Sequence, residues 1–195
     1  MTNSEPIAFD ALMSQGMAAS QANDGAQAVE WFQKASAAEP AAGLPHFLLG
    51  AERASMGSMD QAEAAFANAT RLAPDFPMAR YQLGLLQFSS GRAAIALLTW
   101  QPLLHLPDSD PLPHFVKGFA ALAHDRFDQA LRHYEQGLTL NTTNDALSGD
   151  IEKVIAGTKA LAPNTAPGAD GPGEGGAESD THVLLANYQQ QGRPH

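Results

Sequence analysis

Apolar, small and polar positions along the chain recur every 34 residues. The clearest copy runs from Gly43 to Phe76. Counted from Gly50, Ala62 lies twelve residues on, Phe66 sixteen, Ala69 nineteen and Pro74 twenty-four. One period back the frame gives Gly16, Ala28, Phe32, Ala35 and Pro40. One period forward it gives Gly84, Ala96 and Trp100, and the next gives Gly118, Ala130 and Tyr134. Self-similarity at such a period marks an array of repeated units. In the first unit the pattern predicts a helix over Phe9–Gln21 and a turn at Asn23-Asp24-Gly25. A second helix then runs through Ala28, Phe32 and Ala35 to Glu39, where Pro40 stops it.

The later turns are expected at Met56-Gly57-Ser58, Ser89-Ser90-Gly91 and His124-Asp125-Arg126, with Asp60 as a helix N-cap and Asp128 placed like it. Pro102 falls two residues after Trp100, inside the second helix of the third unit. A proline inside a helix costs about 3 kcal/mol through a lost hydrogen bond and a clash with the preceding turn. A kink or an early end is expected there, with a hinge as the functional reading and a tolerated kink as the bland one. After the fourth unit, Leu147, Ile151, Val154, Ile155 and Thr158 share one helical face over Asp145–Leu161. Gly149 and Gly157 weaken that helix, each by about 1 kcal/mol relative to alanine. It reads as a cap over the open end of the array.

The spacing L-G…A-x3-F…P resembles the tetratricopeptide repeat (TPR) over about Phe9 to Asn144, in four copies without insertion. The resemblance implies an all-α fold, with antiparallel helix-turn-helix units stacked into a right-handed superhelical solenoid and a C-terminal capping helix. It also implies a concave groove that binds partner proteins. The organisation expected is an N-terminal 1–8 segment, repeats at 9–42, 43–76, 77–110 and 111–144, and a capping helix at 145–161. A Gly/Pro-rich acidic linker follows at 162–180, then a tail at 181–195. The chain departs from the family pattern where Leu12, His46, Arg80 and His114 replace its first large aromatic. Leu103 and Gly137 stand at a position held by a small alanine in the first two units, and Thr142 replaces the closing proline in the fourth.

In TPR proteins certain first-helix positions line the concave surface. Here they carry Met13, Phe47, Tyr81 and Phe115, then Met17, Leu85 and Phe119, then Phe88 and Leu122. Such an apolar ladder suits an apolar helix or extended peptide; the competing reading is that it is core. Gln82 and Arg80 are expected on its polar rim. One TPR subclass grips the C-terminal carboxylate of heat-shock chaperones with Lys, Asn and Arg. Arg80 and Lys117 do not make up that set, which argues against a carboxylate clamp. The acidic, apolar-grooved character is similar to TPR chaperones of bacterial type III secretion, which usually carry three repeats. In the tail, Val183, Leu184, Leu185 and Tyr188 form a second apolar motif, expected to dock in a TPR groove of its own or a neighbouring chain or to await an outside partner.

Composition narrows the function classes. A net charge of −10 and no basic stripe argue against nucleic acid, and the acidity disfavours anionic membrane surfaces. With no cysteine there is no disulfide and no thiol nucleophile. No run approaches the roughly 20 apolar residues a membrane span needs. The start MTNSEPIAFD lacks a basic, hydrophobic leader, so a cytoplasmic protein is expected. His105, His124 and His133 lack ligand spacing, and His46 and His114 lie two units apart; no metal or cofactor is expected. Trp31 is expected to be a partly exposed stacking residue. No nucleophile triad or phosphate loop appears, so the chain is read as a non-enzymatic adaptor, scaffold or chaperone. The alternatives are a self-assembling structural TPR protein and a regulatory subunit of a separate enzyme.

Overall fold

The computed structural model describes residues 8–162, which fall into two compact units dividing after Leu86. The first holds α1 (Phe9–Gln21), α2 (Gly25–Ala38), α3 (Gly43–Ser55), α4 (Met59–Leu72) and the first part of α5 (Pro77–Ser89). The second holds the end of α5, α6 (Ala93–Trp100), a 3-10 turn (Gln101–His105), α7 (Pro111–Leu122), α8 (Phe127–Leu140) and α9 (Asp145–Leu161). Among the described residues there is no strand. The fold is all-α, and in the first unit α1 packs on α2, α2 on α3 and α3 on α4. In the second, α6 and the 3-10 turn pack on α7, α7 on α8 and α8 on α9. Residues 1–7 and 163–195, which include nearly all of the expected linker and the Val183–Tyr188 motif, lie outside the described residues.

The turn between the two helices of each repeat has a common backbone. Asn23, Gly57, Gly91 and Asp125 have φ of 57°, 76°, 78° and 56°, and they stand one period apart. A left-handed residue reverses the chain tightly, and glycine, asparagine and aspartate are the residues that adopt it most readily. Side chains hold the starts of α2, α7 and α9. Asp24 accepts from the Gln27 amide at 3.0 Å, Asp110 from Leu112 at 2.9 Å and Asn144 from Leu147 at 3.0 Å. Each bond satisfies an amide that has no partner within the first turn. The expected cap at Asp60 is corrected: Ser58 holds the N-cap position of α4, without a side-chain bond. Asp60 sits in the first turn, where its charge faces the positive end of the helix.

The recurring glycine and aromatic are one packing device. A Cβ on Gly16 would lie 2.4 Å from the Phe32 ring, on Gly50 2.6 Å from Phe66 and on Gly118 2.3 Å from Tyr134. The second helix of each of these repeats therefore packs its ring against the bare backbone of the first. Ala28, Ala62 and Ala130 beside those rings are fully buried, which leaves the helices close enough for the contact. In the third repeat α6 ends early, at Trp100, and Pro102 enters a 3-10 turn near its start, where a proline needs no amide hydrogen. The helix thus ends rather than kinks. Leu103, at the position that is small in its sisters, is buried in that turn. At the C-terminal end α9 buries Leu147, Ile151 and Thr158, with the Thr158 hydroxyl donating to the Val154 carbonyl at 2.8 Å.

Candidate partner-binding surfaces

The first-helix ladder divides between interior and surface. Met13 is buried in the cluster that includes Leu12, Phe32 and Leu49. Tyr81, Phe115, Phe119 and Leu122 are buried as well. Phe115 lies under Gly137, where a Cβ would approach its ring to 2.4 Å, so the small residue in α8 is what lets this ring turn inward. Phe119 is held between Trp100 and Phe88, each at 5.1 Å between centroids, and Tyr134 at 5.3 Å. These five side chains are core in this structure rather than groove lining. The period alone could not separate the two roles, because a residue three before the glycine faces either the groove or its own second helix, according to the room left there.

The remaining members reach the surface to different degrees. Phe47 is half-buried against Phe66 and Phe76, at 5.8 and 4.8 Å. Leu85 and Phe88 are half-buried, as are Arg80 and Gln82. Met17 is 45% exposed on α1. Sequence reasoning missed Leu44 at the start of α3, which is 48% exposed, and Met56 and Met59 at the α3–α4 turn. The helices carrying Met17 and Leu44 are joined by a hydrogen bond from the Ser20 hydroxyl to the Glu52 carboxylate. Each of these first helices thus exposes one large apolar side chain, and the methionine thioether is of the kind that repacks readily around a ligand. The second unit exposes a different set, Ile95 and Leu98 on α6 and Leu104 on the 3-10 turn.

Polar chemistry in the two units is sparse. His46 has its pKa lowered, chiefly by burial and then by the Arg71 and Arg53 charges. His133 is lowered by burial, Lys117, His114 and Arg132, in that order. The buried His114 places Nε2 2.9 Å from the Asp108 carbonyl, which ties α7 to the loop before it. Among the described residues no three His, Asp or Glu side chains gather as a metal site, and no helix is long and apolar enough to cross a membrane. Trp31 is half-buried and carries the Lys34 ammonium 4.3 Å from its ring centre, so its face stacks within its own helix.

The tetratricopeptide-repeat family profile matches residues 47–101, from α3 to the end of α6. The fold is that of a tetratricopeptide-repeat protein. Solved TPR-fold structures agree across a larger share of the chain. A structure of MamA shares 18% identity at a TM-score of 0.59, over 70% of this chain and 80% of that one. A thermophilic TPR protein of Thermus thermophilus shares 20% at 0.59, over 80% and 84%. The Cut9–Hcn1 hetero-tetramer shares 19% at 0.69, over 97% of this chain but 34% of the other. At these identities the likeness concerns the TPR fold alone. No curated protein sequence matches the chain.

Proposed function

We propose that this TPR protein is an adaptor or scaffold that binds an apolar segment of a partner protein on the first-helix surface of its repeats. The observation that carries the reading is the exposure of Met17 and Leu44 on α1 and α3, beside the half-buried Phe47. Exposed apolar side chains on the first helices offer contact points to an apolar partner segment. The fold supports protein binding as a class, while the ligand is inferred from the apolar character of the surface. A chaperone-like role toward an apolar helix falls within the same reading, as does cytoplasmic residence. No catalytic step is assigned to the chain. Phe115, Phe119 and Leu122 act as the rigid backing of their repeat, and Gln82 and Arg80 as rim groups that orient the ligand.

The test is affinity capture from the native source, followed by mass spectrometry, with wild type beside Met17→Glu/Leu44→Glu. Both substituted side chains are exposed, so circular dichroism should be unchanged. A partner lost only from the variant supports the reading. Each anchor removed at a hot spot weakens binding by more than about 1 kcal/mol. Equal capture by both proteins would move the binding surface off α1 and α3.

A further inference from the structure

The four repeats serve as controls for one another, and one of them differs on its outer face. Along α6 and into the 3-10 turn, Ile95, Leu98 and Pro102 follow at steps of three and four residues. The matching positions are Gln27, Glu30 and Lys34 in α2, and Gln129, Arg132 and Gln136 in α8. In α4 they are Gln61, Ala64 and Asn68. Three repeats thus carry polar or small residues where the third presents a branched aliphatic stripe. Leu98 is 71% exposed and Ile95 46%, and Leu104 extends the patch onto the 3-10 turn. No Asp, Glu, Lys or Arg occurs from Ala93 to Pro107. A face of this kind is an interface in need of an occupant.

We infer that the occupant is the chain's own C-terminal segment, with Val183, Leu184, Leu185 and Tyr188 lying over Ile95, Leu98 and Leu104 in the same unit. The inference stands apart from the proposed partner surface, which is on α1 and α3. The segment is the one cluster of large apolar residues in 163–195, and no Asp, Glu, Lys or Arg occurs from Thr181 to Gly192. Two such apolar surfaces can meet without stripping water from a carboxylate, ammonium or guanidinium.

Reach is sufficient. Twenty-one residues lie between Leu161, the end of α9, and Val183. At roughly 3.3 Å per residue they can span about 70 Å. From α9 the route to α6 passes α8 and α7. Three helix-to-helix steps of about 8–10 Å come to roughly 30 Å, less than half that reach. A ligand tethered in this way acts at an effective concentration near the millimolar range, which lets a modest apolar contact persist.

The experiment is hydrogen exchange on the full chain at micromolar concentration and at a tenfold dilution. Wild type is compared with Leu98→Glu and with Leu184→Glu/Leu185→Glu. The expected result is reciprocal. Amides of residues 183–188 exchange about ten-fold faster in Leu98→Glu, and amides of α6 and the 3-10 turn about ten-fold faster in the tail variant, at both concentrations, because docking suppresses local opening. Amides of α7 and α8, in the same unit, stay unchanged, which shows that both variants fold. Exchange of residues 183–188 at the rate of a free peptide in wild type overturns the proposal, and so does an α6 indifferent to the tail variant. Loss of α6 protection on dilution, with a doubled mass in the concentrated sample, would assign the face to a second copy and overturn it too.

Discussion

The seat of Phe66 on Gly50 can be tested with one methyl group. In an exposed helix, Gly→Ala gains about 1 kcal/mol from backbone propensity. Gly50 is buried in α3, and three atoms of the Phe66 ring would lie 2.6, 2.6 and 2.9 Å from the new Cβ. The ring is 3% exposed and packs with Ala62, Leu83 and Leu86, so it has nowhere to swing. Overpacking of a filled core costs about 1–3 kcal/mol, and three sub-contact distances place this site toward the upper end. Set against the propensity gain, Gly50→Ala should lose about 1–2 kcal/mol. Gly149 in α9 is the control, since a Cβ there meets nothing within 4 Å; its alanine variant should gain up to about 1 kcal/mol. Urea denaturation followed by circular dichroism reads both, and Gly50→Ala/Phe66→Leu should recover part of the loss measured against Phe66→Leu alone. If Gly50→Ala stabilises the protein as Gly149→Ala does, the glycine is not there to receive the ring, and the account of the repeat's packing fails.

Other residues give further tests. Asn144→Ala removes the acceptor for the Leu147 amide and should destabilise the start of α9 by about 1 kcal/mol, seen as faster amide exchange confined to that helix. Phe119→Ala opens the cluster with Trp100, Phe88 and Tyr134 and should cost about 3–5 kcal/mol in a melt of the full chain, where a groove-lining residue would cost little. His46 and His133 have pKa values below 6.5, so beneath that pH the unfolded chain binds a proton that the folded sites resist. Stability should therefore fall as pH drops from 6.5 toward the depressed values, and His46→Gln/His133→Gln should flatten the difference in melting temperature between about pH 7 and about pH 5.5.

Much of the fold was legible because each repeat corroborates the others. The period placed α1 and α2, set the turn at each junction and marked Pro102 as a kink or an early end, of which the structure has the end, since proline and glycine act through the backbone wherever they occur. Asp60 shows the limit of local reading: an acid in the first turn and an acid at the N-cap look alike in sequence, and only the path of the chain separates them. The surface was harder to read. The fate of Phe115 depends on a partner 22 residues away, the Gly137 beneath its ring. Leu98 escaped notice because the expected ladder drew attention to the first helices. Aligning second helices at Glu30, Ala64, Leu98 and Arg132 would have exposed it.

The left-handed turn residue has a consequence for how such an array could grow. Asn23, Gly57, Gly91 and Asp125 give the joint inside each repeat a handedness that a β-branched side chain would resist, at about 1–2 kcal/mol per position. A duplicated segment carries its joint with it whenever the copied stretch is one full period, whatever residue the copy begins on. A graft of any other length puts an ordinary residue where the backbone must turn the wrong way. The joint therefore works as a molecular ruler: lengthening by whole periods is cheap, and fractional insertions are rejected by the backbone before side-chain packing is consulted.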